Sequence, residues 1–144
     1  MAPARELTFA FAALALTVGI AALIGKWHPT EDLLSLWWPQ GLLLGGLLLL
    51  WARPALIAGA AIAAGLYLIV FYFAFGRSPN DNGLDWLLYV FAFPCAAIGA
   101  AVARAVDWRK PSSSAFRSVL LSFLLTASGF AGYHALYCAM FCRW

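Results

Sequence analysis

Five long apolar stretches separated by short polar breaks run along this chain. The first, from about Leu7 to Gly25, contains no charged residue. A hydrocarbon core about 30 Å thick needs about 20 helical residues to cross it, so this stretch suits one span. The polar run Lys26-Trp27-His28-Pro29-Thr30-Glu31-Asp32 follows. The next apolar stretch, Leu33 to Phe75, is broken only by Gln40 and by Trp51-Ala52-Arg53-Pro54. It is about twice the length of one span. A charge is costly at mid-membrane, and Pro54 fits the first turn of a new helix, where its missing N–H costs nothing. The pattern therefore predicts helices over about 33–51 and 54–75, joined as a tight antiparallel hairpin.

The turn-rich run from Gly76 to Gly83 separates these from a fourth helix over about 85–106, with Pro94 as a kink point. Arg104 lies near enough to its end to snorkel outward. A basic linker from Asp107 to Ser114 leads to a fifth helix over about 115–141. Residues 7–24 also resemble the apolar core of a signal peptide behind Arg5, and are read as a retained first helix. The expected fold is all-α: one integral membrane domain over residues 1–144, a polytopic bundle with spans at about 7–25, 33–51, 54–75, 85–106 and 115–141.

Composition supports the membrane assignment. Hydrophobic residues make up 65% of the 144 and charged residues 10%, against about 45–50% and about 25% in soluble domains. The net charge of +3 therefore points to orientation in lipid rather than to nucleic acid. With five spans and a cytoplasmic N-terminus, Arg5, Arg53, Arg104, Arg109, Lys110 and Arg117 fall inside, and only Lys26, Arg77 and Arg143 outside. That bias satisfies the positive-inside rule. A model omitting the second span would put the basic cluster from Arg104 to Arg117 outside. Trp27, Trp37, Trp38, Trp51, Trp86, Trp108 and Trp144 all fall at predicted helix ends, as an interfacial aromatic belt does. The expected location is the inner membrane of a bacterial-type cell, as a multi-pass protein.

Small residues mark where helices meet. Ala55, Gly59 and Ala63 repeat at four-residue spacing, and Gly41 and Gly45 do so on the second helix. Such faces let backbones approach closely where lipid supplies no hydrophobic drive. They predict internal packing, or a seam for a homo-oligomer or a larger membrane partner.

Candidate chemistry is sparse. His134, Cys138 and Cys142 follow one another at four-residue steps. These drift only about 40° per step on a helix, so they share a face. Imidazole and thiolate can bind zinc, copper or haem iron, yet a buried thiol is more often a small hydrophobe. No cofactor is expected, and a metal here is the minor reading. Three cysteines cannot all pair within one chain, and Cys95 reads as packing.

His28, Glu31, Asp32, Asp81 and Asp85 collect on the outer side, either as solubilising charge or as a cation or docking cluster. In Trp37-Trp38-Pro39-Gln40-Gly41, Pro39 is expected to start the regular helix. Gln40 is expected to lie exposed near the interface, with His134 or a backbone carbonyl as its partner. Phe71, Tyr72, Phe73 and Tyr89 could line an apolar ligand site.

No Asp, Glu or Lys lies deep within any predicted span, which weighs against a proton relay. There is no P-loop, HExxH, GxSxG or Rossmann glycine pattern. The run Leu36-Trp37-Trp38-Pro39-Gln40-Gly41-Leu42, with Trp51-Ala52-Arg53-Pro54-Ala55 beyond it, resembles the start of bacterial integral-membrane sensory domains. It covers about 35 residues with a pattern of low specificity, and no residue role is carried over. The expectation is a non-enzymatic accessory, regulatory or protective (immunity-like) subunit packing against a larger membrane partner. The alternatives are a carrier or binder of an apolar molecule, and a metal or redox protein using His134, Cys138 and Cys142.

Overall fold

A computed structural model describes residues 4–27, 33–74, 84–111 and 114–141. It contains five helices among these residues: α1 (Ala4–Trp27), α2 (Leu33–Leu49), α3 (Pro54–Ala74), α4 (Leu84–Arg109) and α5 (Ala115–Phe141). Glu6–Ile24, Pro54–Ala74, Leu87–Arg109 and Ala115–Phe141 are each long and apolar enough to cross a membrane, whereas α2 has 17 residues.

Successive helices alternate in direction. Arg53, at the start of α3, meets Glu6 of α1 and Asp107 near the end of α4. At the same end of the bundle Ser118 of α5 bonds Asp107, and Arg104 of α4 reaches the Leu50 carbonyl beyond α2. At the other end Gln40 of α2 meets Tyr89 of α4, and Tyr67 of α3 meets His134 of α5.

The central element is α3, buried from Ala55 through Ala61 and again at Ala63, Ala64 and Gly65. Its small residues let α1 and α5 approach on different sides. A Cβ on Gly59 would collide with the Val119 carbonyl oxygen and lie 2.9 Å from the Phe123 amide nitrogen. Gly99 is similarly closed off by the Leu125 carbonyl, and Gly129 by that of Cys95, so α4 and α5 touch backbone to backbone. This is the close contact that small residues allow in lipid, where packing rather than water drives association. Ser122 Oγ adds a bond of 2.7 Å from α5 to the Leu56 carbonyl of α3.

The turn between α2 and α3 stops one helix and starts the next. The Ala52 amide bonds the Leu47 carbonyl and the Trp51 amide bonds that of Leu48, while Trp51 adopts φ 51°. That is a Schellman cap with tryptophan at the left-handed position glycine usually fills. Arg53 then accepts from the amides of Leu56 and Ile57, and Pro54 occupies the first turn of α3. Trp51→Gly should therefore raise unfolding stability in detergent by about 1 kcal/mol, because a left-handed residue bearing Cβ costs about 1–2 kcal/mol. An SDS titration of the variant in dodecylmaltoside would read this, and an unchanged or lower midpoint would refute it.

Besides shifts of residues at the ends of α1 and the start of α4, three features differ from the sequence reading. Pro39 does not start α2 but lies inside it. Its ring forgoes one backbone bond, and the flanking Trp37 and Gln40, packed into the bundle, outweigh that loss. Trp51 falls in the turn rather than in α2. The fourth helix runs on through Asp107, Trp108 and Arg109, because the Asp107 carboxylate is held by Arg53 and Ser118 instead of opening into a linker.

Candidate functional site

Two polar constellations interrupt the apolar bundle, one at each end. The first joins four helix termini. Arg53 pairs with Glu6 Oε1, its second amino group lies 3.8 Å from Asp107 Oδ1, and Ser118 Oγ donates to that same oxygen at 3.1 Å. Glu6 and Asp107 are only 2% and 3% exposed, whereas the Arg53 side chain keeps 31%. Glu6 sits in the first turn of α1, where the helix dipole favours a carboxylate. Asp107 stands near the unfavourable end of α4 and depends on its partners from α3 and α5. These groups are far apart in sequence, and no spacing along the chain connects them.

The second constellation is aromatic. Tyr67 lies nearly parallel to Phe130, with ring centroids 4.0 Å apart, and to Tyr89 at 5.5 Å. Phe93 stands edge-on to Tyr89 and to Phe130 at 5.1 Å. Edge-to-face and offset stacking suit the ring quadrupoles. A hydrogen bond ends the group on each side. Gln40 Nε2 donates to Tyr89 Oη at 3.0 Å, and Tyr67 Oη and His134 Nε2 share one at 2.9 Å.

Gln40 is thus fully buried, not exposed at the interface, and its partner is Tyr89 rather than His134. The reason is that α2 packs beside α4, while His134 faces α3 from α5. Gln40 Oε1 and Trp37 Nε1 are buried without hydrogen-bond partners among the described residues.

An open groove of about 490 Å³ runs between α3 and α5 beside this stack. Phe71, Tyr67 and Phe130 form its buried side, and both His134 and Cys138 line it. The shared face expected for His134 and Cys138 therefore exists, whereas Cys142 lies outside the described residues. Among the described residues no group of three or more His, Cys, Asp or Glu gathers as a metal would require. His28, Glu31, Asp32 and Asp81 also lie outside the described residues, and Asp85 falls in the first turn of α4.

Of the aromatics expected to line an apolar ligand site, Phe71 lines this groove and Tyr89 stands behind it. Tyr72 and Phe73 face a separate depression beside α1. Tyr67 and Phe130 were not foreseen. Tyr67 could have been found four residues before Phe71 on one helical face, but nothing in sequence pairs it with Phe130.

The small-residue stripes divide. Ala55, Gly59 and Ala63 are buried within the chain. Gly41 and Gly45 lie on a shallow outer surface of α2 with Leu42, Gly46, Leu48 and Leu49. A Cβ added to Gly45 or Gly46 would meet nothing within 4 Å, while at Gly41 it would meet the Trp37 ring.

No protein-family model matches the sequence, and neither curated proteins nor solved structures give a match.

Proposed function

We propose that this protein is a non-enzymatic accessory or protective subunit of a bacterial-type inner membrane, with five spans and a cytoplasmic N-terminus. It docks α2 against a helix of a larger membrane partner. The observation that carries this is the open glycine face of α2. Glycine costs about 1 kcal/mol in a helix interior relative to alanine, and among the described residues nothing lies within 4 Å of a Cβ placed on Gly45 or Gly46. In lipid such a face gains when a second helix closes on it. The other small-residue stripe, at Ala55, Gly59 and Ala63, is already occupied by the chain's own packing.

The alternating helix directions support a crossing α2, since it must return the chain from the end of α1 to the start of α3. At 1.5 Å per residue its 17 residues rise about 25 Å, and modest local thinning of the bilayer accommodates the difference. The charge bias of the sequence sets the end holding Glu6, Arg53 and Asp107 toward the cytoplasm.

The test is native mass spectrometry of protein extracted from its own membrane in mild detergent, first wild type and then Gly45→Leu/Gly46→Leu. A stoichiometric second protein in the wild type, lost in the variant with unchanged folding, is the expected result. A wild-type protein that runs alone or as a homo-oligomer, or a variant that keeps its partner, would overturn the reading.

A further inference from the structure

We propose that the groove between α3 and α5 is a binding site for a neutral apolar molecule carrying a single carbonyl or hydroxyl head. It takes this molecule laterally from the bilayer. The inference is independent of docking through α2, which lies on another surface of the bundle.

The groove's size comes first. At about 490 Å³ it falls within the range of small-molecule sites, about 300–1,000 Å³. Its chemistry narrows the ligand. Among the described residues no Lys, Arg, Asp or Glu lines it, so a charged ligand would be desolvated there without compensation. Leu66 and Val70 form an aliphatic rim on α3, while Phe71 and Phe130 are fixed behind it by the aromatic stack. Such a wall is set before any ligand arrives, which reduces the ordering cost of binding.

The head-group requirement comes from Tyr67 and His134. His134 lies seven residues before the end of α5 at Phe141, about 10 Å below that terminus by helical rise. An ionisable side chain at membrane depth that lines a cavity marks a candidate functional site. The Tyr67–His134 bond places a polar pair on the wall of an otherwise apolar groove. A hydroxyl oxygen donates one bond and accepts two. With His134 Nε2–H donating to Tyr67 Oη, the phenol proton is directed to a ligand carbonyl. In the other tautomer Tyr67 donates to His134, and a lone pair of its oxygen accepts from a ligand hydroxyl. Either head completes the pair, and an acyl chain completes neither.

The test uses full-length protein in phosphatidylcholine nanodiscs with a para-decyl benzophenone as probe. This molecule is neutral and ring-bearing, has one carbonyl, and inserts into nearby C–H bonds under near-ultraviolet light. Labelled peptides are mapped by mass spectrometry. The expected result is saturable labelling centred on Leu66–Val70 and Ala127–Ala131. It should be abolished by Ala131→Phe, which fills the groove from an exposed position. Tyr67→Phe keeps the stacked ring and removes the hydroxyl, and should weaken half-saturation roughly three- to tenfold, the worth of one hydrogen bond. Circular dichroism and monodispersity of both variants establish that they fold. Labelling that does not saturate and spreads over α1 as well would mean that the groove holds only bilayer lipid. Saturable labelling indifferent to Tyr67→Phe would remove the head-group assignment. Either outcome overturns the proposal.

Discussion

Arg53→Met should cost the fold about 3–5 kcal/mol, read as a lowered midpoint in SDS unfolding from dodecylmaltoside micelles. Arg53 is the cation facing both Glu6 and Asp107, and those carboxylates are almost completely buried. Removing it leaves two negative charges in a region of low dielectric, with Ser118 as the remaining donor to Asp107 among the described residues. The expense lies in the stranded charge rather than in the lost pair. Arg53→Met combined with Glu6→Gln and Asp107→Asn should therefore recover most of the stability. The partial exposure of Arg53 places the expected loss toward the lower end of that range. A single variant within about 1 kcal/mol of wild type, or a triple variant no better than the single, would show that the four helix ends are not tied through this guanidinium.

Gly59→Leu should destabilise the bundle by about 3 kcal/mol or more, because the obstruction is backbone and no side-chain adjustment relieves it. The Val119 carbonyl and Phe123 amide bound the space into which a Cβ would point. Opening α3 from α5 would also break the Ser122–Leu56 bond. The same glycine-to-leucine change at Gly45 meets open space and should leave the isolated chain's midpoint within about 0.5 kcal/mol of wild type or above it, leucine being the better helix former. Measuring both in one SDS titration makes each the control of the other. Equal effects would mean that the two small-residue stripes do not differ in what they contact.

This contrast shows where sequence reading reaches its limit. Ala55, Gly59 and Ala63 have the same spacing logic as Gly41 and Gly45, and periodicity marks both as faces for close approach. Which face is filled depends on how α3 lies among α1 and α5, and spacing along one helix carries no information about that. Gln40 makes the same point from the polar side. Its amide is recognisable as an anomaly in an apolar run, but its partner is set by the neighbour of α2, and Tyr89 is 49 residues away. His134 and Cys138 were legible as a shared face because a four-residue step fixes that within one helix. The aromatic floor they overlook was not, since Tyr67 and Phe130 come from different helices.

The sequence by itself determined the number of helices, most of their boundaries and the apolar class of the bundle. Those follow from local chemistry: the length of each apolar run, the proline and arginine that divide the second from the third, and the energetic expense of charge in hydrocarbon. The tertiary structure alone decided that Arg53 is a shared counter-ion rather than only an orientation signal. It also decided that α3 is the core, that α2 keeps a glycine face open, and that α3 and α5 leave a groove beside Tyr67 and His134. The physical reason is that helix–helix contacts in lipid depend on shape and hydrogen-bond matching between surfaces distant in sequence. A pattern read along one chain sees each surface but not its mate.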